Sequence, residues 1–302
     1  MHVGVTGSSG FIGTALVSAL EERGDSVTRF VRPGSDASGH VIHWDPSRGI
    51  VDDADLKIAG GFDAVVNLAG AGIADKRWNE ARKSEIRNSR LTSTSLLVET
   101  MRAMPNASAH LVSGSAIGFY GSRGDEQLDE SSSPGSGFLA QTCVEWEQAA
   151  LALRVAGSTV ALLRTGIVMD RRGGSLKRQL PLFTFGVGGD LASGHQWLSP
   201  ISLRDEVRAI LWIIDHRLDG AVDAVCPNPS TNHEFTRILA HRMRRPALSR
   251  VPKFALDLVL GSELTSEAVV ASQRVIPSAL LASGFTFDDP DTNAIVRTVL
   301  SS

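Results

Sequence analysis

A glycine-rich segment near the beginning of the chain has the spacing of a turn that binds a dinucleotide. It reads Thr-Gly-Ser-Ser-Gly-Phe-Ile-Gly at 6–13 and lies between an apolar strand pattern and a helical pattern. Gly7 would permit a tight turn, Gly10 would let the backbone approach a pyrophosphate, and Gly13 would let the helix pack closely on the strand. The unpaired N–H groups at the start of the helix would bind the phosphates. Unless the turn merely needs glycine for its geometry, the expected contacts to the dinucleotide come from Gly7, Ser8, Ser9, Gly10, Phe11 and Ile12.

The end of the second strand pattern determines which dinucleotide is expected. NAD sites usually place an acidic residue there, whereas an arginine suits the 2′-phosphate of NADP. This chain has Arg29 and Arg32 there, and no acidic residue follows until Asp36. Because a guanidinium can bind a phosphate through two hydrogen bonds, Arg32 predicts NADP, with NAD as the second choice. A solvated surface arginine is the alternative, and it is the preferred interpretation of Arg29.

Two further strand patterns end in small or polar residues, at the edge where open α/β sheets bind their ligands. Leu68, Ala69 and Gly70 follow the first of them and would let a ribose and diphosphate pass over the strand. Ser113 and Ser115 close the second, where Ser115 would face the nicotinamide or simply cap the strand end. The expected cofactor contacts outside the glycine-rich segment are Arg32, Leu68, Ala69, Gly70, Ser113 and Arg164.

Apolar stretches alternate with helical patterns over the first two thirds of the chain. This alternation predicts an α/β fold, a Rossmann-type doubly wound parallel sheet with helices on both faces. Strands are expected at 3–6, 26–31, 41–44, 63–68, 110–113, 159–164 and 221–225. Helices are expected from the glycine-rich segment to Gly24 and at 79–104, 138–155 and 205–216.

The character of the sequence changes after residue 168. Residues 171–200 are glycine-rich, and short helical patterns and prolines dominate from residue 227 onward. The segment 171–200, with Trp197, would be either a lid over a small-molecule substrate or a loop that packs against its surroundings. The expected domains are a dinucleotide-binding domain at 1–168, to which 205–226 return, and a smaller, mostly helical, substrate-binding cap at 169–204 and 227–302.

Composition argues against several classes of partner. The chain has 302 residues and a formal net charge of −3, so no basic nucleic-acid surface is expected over the whole chain. The apolar stretch at 210–214 is too short to span a bilayer, and the first residues do not read as a signal peptide. Cys143 and Cys226 fit no metal or disulfide pattern, and Cys143 is expected to be a small buried side chain. We therefore expect a cytoplasmic or organelle-matrix protein with a small-molecule substrate, no nucleic-acid or membrane partner, and a homodimer as an open option.

Motifs along nearly the whole chain point to one group of proteins. Besides the glycine-rich segment at 6–13, they lie at 67–70, 77–78, 89–90, 115–121, 138–140, 146–147, 164–168, 194–197, 245–246 and 284–285. Together they resemble the extended short-chain dehydrogenase/reductases of the NAD-dependent epimerase/dehydratase superfamily. Within it they most resemble the atypical YfcH-like branch, often labelled nucleoside-diphosphate-sugar epimerases. The resemblance implies a Rossmann domain, a C-terminal substrate cap and a nicotinamide cofactor, but no known substrate. Ser202 stands where the branch has a histidine, so no role of that histidine carries over.

The resemblance also implies a catalytic set that this chain lacks in part. Short-chain dehydrogenases use a serine, a tyrosine as acid/base, and a lysine four residues after the tyrosine that lowers its pKa and holds the ribose. This chain has one tyrosine, Tyr120, and four residues after it stands Gly124. By resemblance, the places of the tyrosine and of the lysine fall at Phe138 or Leu139 and at Thr142 or Cys143.

Two functions therefore stay open. In the first, the protein is an NADP-dependent oxidoreductase or a nucleotide-sugar epimerase-like enzyme, with Ser115 and Tyr120 as catalytic residues and a small polar substrate that could be nucleotide-linked. Since a free tyrosine has a pKa of about 10, Tyr120 would need a positive neighbour to act as a base. Glu145 and Glu147 are the other candidates, and a packing role is the alternative for Tyr120. In the second, a chain without the Tyr/Lys pair binds NADP(H) as a sensor and performs no chemistry.

A run of basic residues in the long helical pattern is typical of one solvated helix face. If part of it faces the cleft, Arg77 or Arg87 could hold a phosphate or carboxylate of the substrate. The run consists of Lys76, Arg77, Arg82, Lys83, Arg87 and Arg90.

Overall fold

One large sheet forms the centre of the computed structural model, which describes residues 1–35, 39–104, 109–154, 158–247 and 249–301. The strands are β1 His2–Thr6, β2 Ser26–Val31, β3 His40–Asp45, β4 Ile50–Val51, β5 Ala64–Asn67, β6 His110–Ala116, β7 Gln127–Leu128, β8 Val160–Thr165, β9 Ile167–Asp170, β10 Gly189–Leu191, β11 Trp197–Leu198, β12 Pro200–Ser202, β13 Gly220–Ala224, β14 Ser230–Thr231, β15 Ser249–Val251 and β16 Arg274–Val275.

Helices flank this sheet and make up most of the remaining structure. They are α1 Phe11–Glu22, α2 Asp53–Ala59, α3 Glu80–Ala103, α4 Phe138–Leu151, α5 Gly174–Thr184, α6 Leu203–His216, α7 Asn232–Met243, α8 Lys253–Leu260, α9 Ser262–Leu264, α10 Ser278–Ala282 and α11 Thr292–Ser301. A 3₁₀ turn and a π-helical turn lie at Ile117–Tyr120 and Thr265–Val269.

The order of the strands places a ligand crevice above the middle of the sheet. Within the described residues the order is β13-β8-β6-β5-β1-β2-β3-β4, and the pairs are parallel except for β3 with β4. From β1 the chain proceeds outward to β2 and β3, then crosses to β5 on the other side of β1. In open α/β sheets this reversal leaves a crevice at the carboxyl ends of the strands, where ligands bind. The predicted doubly wound, Rossmann-type α/β fold is confirmed.

Alternate residues of the central strands pack on opposite faces of the sheet, because successive side chains of a strand point to opposite sides. Val66 of β5 is buried with α1 and α6, for example with Leu16 and Ile210. Its neighbour Val65 is buried in a second cluster with α3 and α4, which includes Leu97. Helices thus cover both faces, which explains the almost uninterrupted apolar runs of these strands.

A third buried cluster holds the mostly helical C-terminal region together. It contains Leu176 of α5, Phe235 and Leu239 of α7, and Ile295 of α11. Helix α7 begins at a capping box, in which the Thr231 hydroxyl accepts from the backbone N–H of Glu234 and the Glu234 side chain accepts from that of Thr231. Strand β13 pairs with β8, so the chain adds an edge strand to the main sheet after α6. The exact domain limits stay a prediction.

The structure adds elements that the patterns did not predict. Strand β4 and helix α2 were missed; α2 begins where the Asp52 carboxylate accepts from the backbone N–H groups of Ala54 and Asp55. The segment 171–200 contains helix α5, which the patterns did not predict because its glycines concealed an apolar helical spacing. This helix includes Pro181. Helix α4 ends at Leu151 and not at Val155, which lies outside the described residues. No helix in the described part of the chain has the length and apolarity needed to cross a membrane.

Candidate functional site

The turn between β1 and α1 has a geometry that only glycine permits. Gly7 has a φ of +64°, and a Cβ on it would lie 2.6 Å from the carbonyl oxygen of Leu68. The N–H of Gly10 donates to the carbonyl oxygen of Gly7 over 2.9 Å, and a Cβ on Gly13 would overlap that same oxygen. The chain therefore closes tightly enough to bring the start of α1 to the edge of the sheet.

The start of α1 can accept an anion. Gly10 is its N-cap, no side chain among the described residues caps it, and its first turn carries no acidic residue. Residues 8–12, including Ser8, Ser9, Phe11 and Ile12, thus surround unpaired backbone N–H groups and the positive end of the helix dipole. The residues present therefore suit the diphosphate of a dinucleotide.

Buried hydrogen bonds fix the loop after β5 beside this turn. The Thr6 hydroxyl donates to Oδ1 of Asn67 over 2.7 Å and accepts from the backbone N–H groups of Leu68 and Ala69 over 3.1 and 3.2 Å. The Asn67 amide donates to Oγ1 of Thr94 over 2.9 Å. The structure thus brings the predicted contacts Leu68, Ala69 and Gly70 next to the glycine turn. Sequence reasoning missed both partners. A threonine in an apolar strand was a usable signal for Thr6, whereas Thr94 lies on helix α3.

Arg32 lies at the same edge of the sheet. In the pairing of β1 with β2, Thr6 stands opposite Phe30, so Arg32 follows two residues beyond the end of β1. Arg32 is exposed, and its guanidinium makes no ion pair or hydrogen bond with the described residues. Arg29 instead pairs with Glu21 over 2.8 Å, which agrees with the surface role expected for it.

A cavity of about 620 Å³ continues from the glycine turn into the space between the sheet edge and the C-terminal region. Phe11 and Ile12 line it from the turn, Ser115 lines it from β6, and Trp197 and Asn232 line it from the later part of the chain. A dinucleotide and a second small molecule could therefore meet there.

Ser115 is held at the wall of this cavity by a buried ion pair. Its hydroxyl donates to Oε1 of Glu147 over 2.7 Å. Arg164 binds the same carboxylate with two hydrogen bonds, from Nε to Oε1 over 2.8 Å and from Nη2 to Oε2 over 2.9 Å. Both charged side chains are almost fully buried, at 6% and 7% exposure, so the pair fixes Ser115 in one orientation.

Tyr120 continues this network away from the cavity. Its side chain is fully buried, its hydroxyl donates to Oδ2 of Asp223 over 2.8 Å, and it accepts from Nη1 of Arg164 over 2.9 Å. Burial, reinforced by the neighbouring Asp223, raises the pKa of Tyr120 far above its ordinary value even though Arg164 opposes this. Burial likewise raises the pKa of Asp223. The structure does not place Tyr120 where it could touch a substrate, so the expected acid/base role does not fit.

Two predicted cofactor contacts also lie away from the groove. The guanidinium of Arg164 is taken up by Glu147 and Tyr120 and lies 3.5 Å from the centroid of the Phe119 ring. Ser113 is fully buried within β6, between β5 and β8, and its hydroxyl has no partner among the described atoms. Neither side chain lines the cavity, because Ser113 lies further from the carboxyl end of β6 than Ser115 does and Arg164 is held by its ion pair with Glu147.

Comparisons with known proteins agree with this geometry. The sequence profile of the NAD dependent epimerase/dehydratase family matches residues 3–224, which is more than half of the chain. The chain belongs to this family. A second profile, a domain of unknown function (DUF1731), matches residues 251–299. Membership confirms the expected superfamily and the expected class of cofactor, whereas the YfcH-like branch stays a prediction.

Similar proteins extend over the full length of the chain. Epimerase family protein MT2273 of Mycobacterium tuberculosis is 42% identical over 287 residues, which cover 94% of this chain and 93% of that protein. The crystal structure of human epimerase family protein SDR39U1 (isoform 2) with NADPH is 29% identical, covers 100% of both chains and has a TM-score of 0.89. A nucleoside-diphosphate sugar epimerase from Corynebacterium glutamicum is 33% identical with a TM-score of 0.80, over 99% of this chain and 58% of that one.

The positions that would hold tyrosine and lysine in short-chain dehydrogenases of the epimerase/dehydratase family carry no equivalent groups here. Leu139, Thr142 and Cys143 line the cavity, whereas Phe138 packs against Trp78 with ring centroids 5.1 Å apart. The Thr142 hydroxyl donates to the carbonyl oxygen of Phe138 over 2.7 Å and is thus engaged within its own helix. Burial, together with the nearby Glu147 carboxylate, raises the pKa of the Cys143 thiol to about 11. The departure from the Tyr-x-x-x-Lys pattern is therefore also a departure in chemistry.

A carboxylate from the C-terminal region occupies the start of α4. Glu267 accepts from the backbone N–H of Phe138 over 3.0 Å and from that of Leu139 over 2.7 Å. Gly137 has a φ of +108°, and a Cβ on it would lie about 3.0 Å from this carboxylate. Glu267 lines the cavity and fixes the α4 end that carries Leu139. Sequence reasoning missed Glu267, Arg164 as a partner of Glu147, and Asp223. The other glutamate considered, Glu145, pairs with Arg87.

Proposed function

We propose that the protein binds NADPH or NADP in the crevice above β1 and acts as an oxidoreductase or epimerase-like enzyme on a small polar substrate. The observation that carries the proposal is the glycine turn, whose open helix end leads directly into the cavity lined by Ser115. When bound, the cofactor would supply or accept a hydride there. A nucleotide-linked sugar is the first substrate class to test, since the similar protein from Corynebacterium glutamicum is described as a nucleoside-diphosphate sugar epimerase.

NADP is proposed ahead of NAD on two grounds. Arg32 is exposed beside the glycine turn, and no acidic residue stands between the end of β2 and Asp36, which lies outside the described residues. The human protein that covers the whole chain was solved with NADPH. The other proposed cofactor contacts are Gly7, Ser8, Ser9, Gly10, Phe11, Ile12, Leu68, Ala69 and Gly70.

Ser115 would act as a hydrogen-bond acceptor toward the ligand. A serine hydroxyl has one hydrogen, and that of Ser115 is directed to Glu147. Its remaining lone pairs suit an O–H or N–H donor, such as a substrate alcohol, and suit a carbonyl oxygen poorly. Tyr120 is proposed as a positioning residue that holds Arg164, and through it Glu147 and Ser115.

We propose that the two expected domains bind different ligands on opposite walls of the cavity. Residues 1–168 and 205–226 would bind the cofactor, and residues 169–204 and 227–302 would bind the substrate through side chains such as Trp197 and Asn232. A cytoplasmic or organelle-matrix location and a homodimer stay predictions from the sequence.

A sensor that binds NADP(H) without chemistry is the second candidate. It is favoured by the apolar residue, Phe138 or Leu139, at the tyrosine place and by the engagement of the Thr142 hydroxyl within α4. To separate the two, purified protein would be titrated with NADPH and NADH, and then mixed with NADPH and a panel of carbonyl compounds and nucleotide sugars. Consumption of NADPH with any of them supports an oxidoreductase. Because an epimerase returns its hydride and consumes no net cofactor, conversion of a nucleotide sugar to its epimer in the presence of NADP, measured by chromatography, supports the epimerase. Saturable cofactor binding with neither signal over the panel supports the sensor. Absence of saturable binding to either cofactor would overturn both.

A further inference from the structure

The basic residues in the first half of α3 differ in one respect, which is whether a carboxylate neutralises them. Arg82 pairs with Glu85 over 2.7 Å, Lys83 pairs with Glu80 over 2.7 Å, and Arg87 pairs with Glu145. Arg87, which the sequence offered as a substrate contact, therefore already has its counter-ion. Arg90, one turn further along the same helix, has no carboxylate partner among the described residues.

Arg90 is held in place by neutral groups. Its Nη1 donates to the carbonyl oxygens of Ala71 and Ile86 over 3.0 and 2.8 Å. Its guanidinium lies 5.1 Å from the centroid of the Trp146 ring, and Trp146 is itself fixed by a hydrogen bond to Thr94 over 2.9 Å. Its Nε and Nη2 donate to no acceptor in the described part of the chain. The charge is thus fixed in direction while two of its donor atoms stay available.

The burial of Arg90 makes an uncompensated charge costly. Burial lowers the pKa of Arg90 from its ordinary value, yet a guanidinium stays protonated in proteins. A cation withdrawn from water without an anion carries a desolvation penalty, and a bound anion removes much of it. The same arrangement of a buried, positioned arginine is common where proteins bind phosphates and carboxylates.

Arg90 lines the same cavity as Ser115, and among the described lining residues it is the one cation. The one carboxylate among them, Glu267, is already engaged with the backbone at the start of α4. Arg90 also acts electrostatically on Cys143, one of the two candidates for the place of the family's lysine, where its charge opposes the effect of burial on the thiol pKa. A positive charge therefore reaches this part of the cavity from α3, although α4 carries no lysine there.

We propose that Arg90 binds an anionic group of the substrate, a phosphate or a carboxylate, inside the cavity. The inference rests on the proposed function, since it places the substrate next to the bound cofactor. The substrate is the better assignment for this anion, because the cofactor's phosphates have the start of α1 and Arg32 at β1 and β2. Arg90 lies on the far side of the proposed cofactor contact Gly70, between Ala71 and Trp146 of helix α4.

The test measures anion binding and not turnover. Protein saturated with NADPH would be titrated calorimetrically with pyrophosphate and with malonate, so that the phosphate and carboxylate arms are compared. We expect saturable binding of at least one of them, weakened about 10- to 100-fold in Arg90→Gln, less in Arg90→Lys, and further weakened by added salt. Arg87→Gln, which removes a paired cation from the same helix, should leave this affinity unchanged.

The outcomes separate the two proposals. Urea denaturation of each variant reports whether it is folded, so a misfolded Arg90→Gln protein would be recognised and Arg90→Lys would then carry the test. The NADPH affinity of the folded variants reports whether the cofactor site depends on Arg90. If the natural protein fails to bind NADPH, the proposed function falls. If NADPH binds but neither anion does, or if both Arg90 variants bind the anion as tightly as the natural protein, only the role of Arg90 is overturned. If the Arg90 variants lose NADPH and anion affinity equally, Arg90 serves the cofactor, and the substrate assignment is wrong.

Discussion

Ser115 and Glu147 form a hydrogen bond of 2.7 Å at the boundary between the cavity and the protein interior. The bond directs the one hydrogen of Ser115 inward, and Arg164 holds the Glu147 carboxylate from its other side. The orientation of a cavity-lining hydroxyl thus depends on an ion pair whose two residues do not line the cavity.

Removing the charge of Glu147 should destabilise the protein strongly. Glu147→Gln leaves Arg164 as a buried cation without its counter-ion, which we expect to lower the free energy of unfolding by about 3–5 kcal/mol. Urea denaturation of the variant and the natural protein measures this difference. The control is Glu145→Gln, which breaks the more exposed pair with Arg87 and should cost no more than about 1 kcal/mol. Equal effects of the two substitutions would contradict the assigned role of the buried pair.

Replacing Tyr120 by phenylalanine should affect stability and leave the cofactor site intact. The substitution removes the hydroxyl that joins Arg164 to Asp223, which we expect to cost about 1–3 kcal/mol of unfolding free energy because buried partners lose a hydrogen bond. NADPH affinity should not change, and any turnover that is found should keep the shape of its pH profile. A protein of natural stability that has lost all turnover would instead show that Tyr120 takes part in the chemistry.

The elements of the cofactor site were predictable because their signals are local. The glycines at 7, 10 and 13 stand within one turn, and strand and helix patterns follow each other directly on both sides. The partners in the interior were not predictable, since Tyr120 and Asp223 lie 103 residues apart and Phe138 and Glu267 lie 129 residues apart. The hydrophobic periodicity of one segment does not show which distant side chain will form a hydrogen bond with that segment.

The misassigned residues share one physical cause. Sequence shows that a polar residue ends a strand or lies on a helix, but the packing of neighbouring elements decides what its side chain contacts. Ser113 and Ser115 are two residues apart on β6 and face the same side of the sheet, yet only Ser115, which lies nearer the carboxyl end of the strand, lines the cavity. Arg87 and Arg90 are three residues apart on α3, and the presence of Glu145 on α4 decides which of them is neutralised.

Arg32 should decide between the two nicotinamide cofactors. Arg32→Ala removes the charge proposed for the 2′-phosphate, so it should weaken NADPH binding by about 1–3 kcal/mol and leave NADH binding unchanged. Fluorescence titration with each cofactor measures this. Arg29→Ala is the matched control, because that residue is already paired with Glu21. An equal loss of affinity for both cofactors would show that Arg32 does not select between them.

The pH dependence of stability should report on Glu206. This side chain is fully buried at the start of α6, where its Oε1 accepts from the Thr165 hydroxyl over 2.8 Å and its Oε2 has no partner among the described atoms. Burial raises the pKa of Glu206 from 4.5 to about 8, partly opposed by the Thr165 hydrogen bond. The folded protein therefore binds a proton more tightly at this site than the unfolded chain does.

The sign of the effect follows from that difference in proton binding. The stabilisation from protonated Glu206 is complete below the unfolded pKa and is lost as the pH rises through the folded pKa, so stability should fall between about pH 5 and pH 8, by up to about 1.4 kcal/mol per pH unit from this group. Glu206→Gln keeps the shape of the side chain without the ionisation and should flatten this decline in urea denaturation. The exposed Glu99→Gln should retain it. A decline as steep in Glu206→Gln as in the natural protein would assign the pH dependence to other groups.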